Sequence, residues 1–370
     1  MSVGQVHGRG EAAFRDRAAP RYFLCLGLTL GLTLALFVAF SLYEYKTLGE
    51  TQLGMRQPPF FGAYYAGRFL VAALLSALIV AGMYLLRPAD AAIERANLTP
   101  PQRAAAWAML LLAAASAALF AFDAGLFNRL ALEDRPLEWL SALLHLAASA
   151  GFILAFRWIW RSPGRDLRRR VALGLCALLA LALFVMGMEE ISWMQRVFGI
   201  ATPALFAENQ QQEMNLHNMH SIVIGQTHKA VMFACLILLP FAVDTAPRNR
   251  LFDLLADFLP SRAVFAVSAP WAAFNYNEWN FMASQMFVTL TLAVLACYLK
   301  AALERRAGAE AALFSASAAV VLVAQPMFLA LGGRFVRMWD ASEYVELFIA
   351  LGLALYAAET LTRLAGRARR

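Results

Sequence analysis

Arg168-Arg-Arg-Val-Ala-Leu-Gly-Leu-Cys-Ala-Leu-Leu-Ala-Leu-Ala-Leu-Phe-Val-Met-Gly-Met-Glu-Glu190 passes from three arginines, through eighteen residues without a charge, to a pair of glutamates. A helix crosses the hydrocarbon of a bilayer with about 20 mostly apolar residues. Cytoplasmic ends of such helices collect arginine and lysine. The stretch therefore reads as a transmembrane helix running outward, with Glu189 and Glu190 at the outer boundary.

The same reading extends along the chain. Apolar segments at 22–43, 62–86, 104–127, 137–157, 171–188, 219–243, 261–276, 279–299, 310–331 and 342–362 make ten crossings. The shortest, 261–276, contains Pro270. Just before it, Leu251 to Leu259 sets Asp253 and Asp257 among Leu and Phe, as in an interfacial helix. With the N-terminus in the cytoplasm, 23 of the 32 basic residues fall in cytoplasmic segments and seven in outer loops. Arg68 and Lys229 lie within helices. A miscounted helix in mid-chain would destroy that asymmetry. The expectation is an all-α polytopic transmembrane bundle of about ten helices, N-in and C-in, in a bacterial inner membrane. It forms one integral membrane domain over 1–370, with tails at 1–21 and 363–370 and an outer polar loop at 189–218.

Composition agrees. The chain is 61% hydrophobic and only 15% charged, against about 25% charged for soluble domains. The net charge of +7 is spread through the cytoplasmic loops, which points to topology and anionic lipid rather than nucleic acid. Cys25, Cys176, Cys235 and Cys297 each stand alone in an apolar run, so no disulfide framework or thiolate metal site is expected. The first apolar run, from Tyr22, lacks a small-x-small cleavage site and reads as a retained helix.

Acidic residues show the opposite bias: fourteen of 25 lie at the outer face, several at the membrane boundary. Five stretches gather there. Met188-Glu-Glu-Ile-Ser-Trp-Met-Gln-Arg196 places Glu189, Trp193 and Arg196 on one face if the helix continues. A Glu189–Arg196 pair capping the bundle is the plainer alternative. Glu208-Asn-Gln-Gln-Gln-Glu-Met-Asn-Leu-His-Asn-Met-His220 holds two carboxylates, six amides and two imidazoles. Its His217 begins a face continued by Ser221, Ile224 and His228, which a hydrogen-bonded interfacial loop would also explain. Glu133-Asp-Arg-Pro-Leu-Glu-Trp139 supplies a cap in Asp134 and a stripe of Asp134, Glu138, Ser141 and His145, which should face the bundle interior. Asn275-Tyr-Asn-Glu-Trp-Asn280 and Trp339-Asp-Ala-Ser-Glu-Tyr-Val-Glu346 complete the set. Helix-dipole effects account for part of the Glu343/Glu346 signal.

Glu-Glu-Ile-Ser-Trp-Met-Gln-Arg196 followed by Asn-Leu-His-Asn218 resembles a family of uncharacterised bacterial multi-pass membrane proteins. There Glu-Glu-Ile-Ser-Trp-x-Gln-Arg precedes Asn-Leu-His-Asn, and a Glu-Asp element comes earlier. The match covers about residues 120 to 230. Glycine is expected at the variable position, where this chain has Met194. The resemblance implies one shared site and no particular substrate.

The site is expected to comprise Glu138, Glu189, Glu190, Gln195, Arg196, Glu213, Asn215 and Asn218 as chemical groups. His217, His220, Glu190, Glu343 and Glu346 are the donors a divalent metal would use. The leading expectation is an outer-leaflet enzyme acting on a lipid or lipid-linked substrate. Glu189 or Glu190 would be its base, with Arg196 holding a phosphate or carboxylate. A transporter or proton pathway and a structural subunit of an envelope assembly are the alternatives.

Overall fold

The computed structural model describes residues 3–49, 62–132, 135–162, 166–206, 213–215, 221–276, 279–337 and 339–368. Among them there is no strand. The helices are α1 (Val3–Leu48), α2 (Ala63–Leu85), α3 (Ala92–Arg95), α4 (Pro100–Phe122), α5 (Ala124–Leu130), α6 (Pro136–Arg161), α7 (Leu167–Glu190) and α8 (Gln195–Phe198). Then come α9 (Ser221–Phe233, a π-helical turn at Ala234–Leu238, and Leu239–Thr245), α10 (Arg250–Leu255) and α11 (Arg262–Ser268). After a 3-10 segment at Ala269–Phe274 follow α12 (Met282–Glu304), α13 (Gly308–Ala330) and α14 (Asp340–Ala368). The π turn precedes Pro240, which has no N–H to offer a carbonyl one turn earlier. The 1–21 tail, read as a separate segment, is mostly continuous with the first helix from Val3.

Nine helices among the described residues are long and apolar enough to span a membrane. The tenth expected span, 261–276, is different. Pro270 divides it into seven α-helical and six 3-10 residues, a rise of about 22 Å. That is short of a 30 Å hydrocarbon core. It nevertheless passes from one face to the other. At one end Arg262 binds Asp244 and the carbonyls of Ala92 and Ala96. At the other, the Asn275 amide donates to the Ser284 carbonyl at 2.7 Å, beside the start of α12. Every residue from Arg262 to Phe274 is buried in protein, so this short crossing never meets lipid. Gly352 on α14 lets it pass, since a Cβ there would lie 2.3 Å from Ser268 Oγ.

Both chain ends emerge on the arginine-rich face. The Tyr22 and Thr245 hydroxyls are hydrogen-bonded there, and Arg363 donates to the Leu259 carbonyl. α1 lies on the rim with Leu24, Leu28, Leu34 and Leu42 exposed, a surface suited to acyl chains. Its inner side is tied down where Arg68 pairs with Glu44 and donates to Gln285 and the Asn280 carbonyl. The segment expected at 104–127 is two helices, because Asp123 leaves the first and caps α5 by accepting from the Leu126 N–H.

Candidate functional site

Three helix ends meet at the face opposite the arginine-rich one. α6 begins there with Pro136 and Glu138, α7 ends there with Glu189 and Glu190, and α14 begins there with Asp340, Glu343 and Glu346. Close packing sets the spacing. A Cβ on Gly187 would lie 3.1 Å from the Ala142 carbonyl, so α6 and α7 touch one turn from Glu190.

Glu190 faces Glu346, Glu138 and Glu189, and Glu343 faces Glu346, Glu190, Glu138 and Arg337. All five glutamates are half-buried. The N-termini of α6 and α14 turn their partial positive charge toward Glu138 and Glu343, whereas Glu189 and Glu190 sit at the unfavourable end of α7. From α9, buried Lys229 donates to Ser342 Oγ at 2.7 Å, and that hydroxyl lies 3.5 Å from Glu346. Arg337 pairs with Asp340 at 2.8 Å. A small cavity with room for about one water is lined by Lys229, Trp271, Ala272, Asn275, Phe287 and Val345.

Beneath Glu138 the stripe continues as expected. Ser141 and His145 are each 1% exposed on the inner face of α6. The Ser141 hydroxyl and both ring nitrogens of His145 lack hydrogen-bond partners, as does Gln226 Oε1 on α9. His228 on α9 is a neighbour of His145. One turn deeper, Ser149 gives its hydroxyl to the Ala180 carbonyl and the polar run ends.

The expected continuous face through Glu189, Trp193 and Arg196 is not formed, because α7 stops at Glu190. Ser192, Trp193 and Met194 have φ of 46°, 54° and 63°. Left-handed backbone costs an L-residue about 1–2 kcal/mol each. A clamp holds the turn. Ser192 Oγ donates to Glu213, and Asn215 donates to both. Gln195 accepts from the Met214 N–H and donates to Thr202. Arg196 pairs with Glu213, in place of the expected cap on Glu189. Trp193 Nε1 still reaches Glu189 at 2.8 Å. Gln195, Arg196, Glu213 and Asn215 thus hold the turn beside the glutamates.

Met194 stands in left-handed backbone, which glycine adopts without strain. Met194→Gly should stabilise the protein by about 0.5–1 kcal/mol, since the strain relieved exceeds the extra unfolded-state entropy of glycine. Met194→Val should destabilise it. Thermal midpoints in detergent would show both signs, and a drop with glycine would contradict this account.

His217, Asn218 and His220 lie outside the described residues, as do Glu133 and Asp134. Among the described residues no group of three His, Cys, Asp or Glu side chains is placed to hold a metal ion, and the expected donors His217 and His220 lie outside them. Sequence reasoning missed Ser342 and the role of Lys229. The signal was a lone lysine in an apolar helix. Comparison with protein-family models, with curated proteins and with solved structures finds no match.

Proposed function

We propose that this chain is a membrane-embedded enzyme of the bacterial inner membrane, acting from the periplasmic side on a lipid or lipid-linked substrate. The observation that carries the reading is the meeting of half-buried Glu138, Glu190, Glu343 and Glu346 at one end of the bundle, beside a strained turn. Backbone strain of this kind collects at active sites, where the surrounding structure maintains it. The polar stripe ends at Ser149, and the opposite face is closed by the Arg262–Asp244 network. Such a site opens to one side, as a catalytic site does and a pathway does not.

In this reading Glu190 is the acid/base group, since it ends α7 among Glu138, Glu189 and Glu346. Lys229, through Ser342, holds Glu346 in place. A divalent metal would require His217 or His220 to complete a ligand set. The approach of His145 to His228 favours a second reading, a proton pathway. The test compares lipid extracts, by mass spectrometry, from cells lacking the chain, expressing it, and expressing Glu190→Gln. A lipid species that changes only with the intact protein is the expected result. Identical lipids in all three would remove the enzyme reading, and proton flux in proteoliposomes would then favour the second.

A further inference from the structure

We propose that the arginine-rich end of the α6–α7 pair binds an anionic phospholipid carrying two phosphates, one molecule lying across both helices at the membrane face opposite the glutamates. The chemistry is phosphate recognition by guanidinium groups, and it stands apart from the reading of the glutamate site.

Residues 157–170 hold six arginines and one acid. Two of the arginines hold the fold. Arg169 donates to the Ile159 and Trp160 carbonyls at 3.1 and 2.9 Å. It thereby satisfies carbonyls left open at the end of α6 and draws the start of α7 against them. Arg168 pairs with Asp257 at 3.8 Å. Asp166, the single acid, caps α7 by accepting from the Arg169 N–H. Arg157, Arg161 and Arg170 are exposed and form no hydrogen bond or ion pair among the described residues. Elsewhere on this face Arg87, Arg262, Arg305 and Arg363 are held by acids or carbonyls.

The second observation is where those three side chains start. The exposed stripe of α6 runs through Leu143, Ala147, Ala150 and Leu154, and Arg157 and Arg161 end it. Arg170 begins the exposed stripe of α7, which continues through Gly174, Leu178 and Leu181. In a spanning helix such a stripe meets acyl chains. Arg157 and Arg161 lie within about 4 Å, along the helix axis, of the carbonyls that Arg169 holds, and Arg170 is the next residue to Arg169. Trp158 and Trp160, 49% and 64% exposed, stand at the same level. Indole rings take that position between acyl chains and headgroups. Apolar stripes that end in unpaired cations offer a place for both parts of a phospholipid, the chains along the helices and the phosphates at the arginines.

A phosphodiester carries one negative charge, and a guanidinium meets it with two parallel N–H donors. Three unpaired guanidinium groups on two helix ends exceed what one phosphodiester can face. Two phosphates joined in one molecule match them more closely. Once the first is bound, the second is held at high effective concentration. A zwitterionic lipid brings an ammonium that these arginines repel. Inorganic diphosphate has the charge but nothing to lay along the apolar stripes.

The test uses the full chain purified in detergent, with diphosphatidylglycerol, phosphatidylglycerol, phosphatidylcholine and inorganic diphosphate as probes. Retention is read by native mass spectrometry, and affinity by titrating the thermal midpoint. Diphosphatidylglycerol should be retained and should raise the midpoint at phosphate concentrations where phosphatidylglycerol does not. Arg161→Gln and Arg170→Gln should each weaken it about 5-fold, the worth of one basic residue at an anionic headgroup. Replacing Arg157, Arg161 and Arg170 together by Gln should weaken it roughly 100-fold. The unliganded midpoints should match that of the unaltered protein, since none of the three has a partner to lose. Arg95→Gln, at an exposed arginine of α3 on the same face, should leave binding as it is. Equal response to phosphatidylglycerol at equal phosphate, or to phosphatidylcholine or inorganic diphosphate, overturns the proposal. So does absence of binding, binding unaltered in the single and triple variants, or an equal loss in Arg95→Gln.

Discussion

Glu190→Gln should lower turnover of the lipid whose level depends on this chain by about 10²–10⁴-fold, the usual worth of a positioned general acid or base. Glutamine keeps the shape of the side chain and removes its proton chemistry. It also removes a charge that Glu346, Glu138 and Glu189 oppose, and that the C-terminal end of α7 disfavours. The folded state should therefore be held or strengthened while activity falls. That opposition of signs distinguishes a catalytic group from a structural one. Glu304→Gln, at an exposed pair with Lys300 on the arginine-rich face, should leave turnover unchanged. The measurement is the rate at which the lipid changes after induced expression, normalised to folded protein recovered in detergent. A Glu190→Gln protein with full turnover would remove Glu190 from the chemistry. A protein lost from the membrane would return it to structure.

The fold was legible because its solvent writes it into the sequence. Most long spans were readable from one apolar run to within a few residues, as 171–188 became Leu167–Glu190, although the first helix already begins at Val3 and 104–127 breaks at Asp123. The exception, 261–276, has the same composition, yet Pro270 and complete burial make it a short internal crossing. Hydropathy cannot separate burial in lipid from burial in protein. The carboxylates of the site were legible too, since Glu138, Glu190, Glu343 and Glu346 are costly at a membrane boundary. What they face was not legible, because it depends on which ends of α6, α7 and α14 meet.

The turn after Glu190 shows another limit. Ile-Ser-Trp-Met contains no glycine, so nothing local announces three left-handed residues. They exist because Glu213 and Asn215, about twenty residues later, bind Ser192. Arg196 was read as a ligand-binding or capping group, and its pairing with Glu213 in that clamp was not legible. Lys229 and Arg68 were visible as charges inside helices, but their partners Ser342 and Glu44 are 113 and 24 residues away. A single sequence marks such residues as costly without naming what offsets the cost.

Arg262→Met should destabilise the protein by about 3–5 kcal/mol, the cost of leaving a buried charge without its partner. Arg262 is buried between Asp244 and Glu310 and donates to the carbonyls of Ala92 and Ala96. A guanidinium keeps its charge at every working pH, so this contribution is removed only by substitution. Methionine fills much of the volume but leaves Asp244 and Glu310 facing each other, with Arg305 alone to pair Glu310. Replacing Asp244 by asparagine in the same chain should recover a large part of the loss, since the unpaired charge is then gone. The exposed pair Lys300–Glu304 is the comparator, and its loss should cost far less. The effect should also reach the far face. α11 and the 3-10 segment after it carry Trp271 and Ala272 into the cavity beside Lys229, and Gln325 holds them by donating to the Ala272 and Ala273 carbonyls. Loosening the Arg262 end should therefore disturb the packing around Lys229 without any change among the glutamates. A thermal midpoint in Arg262→Met no lower than in Lys300→Met would mean that this short crossing is held by packing alone.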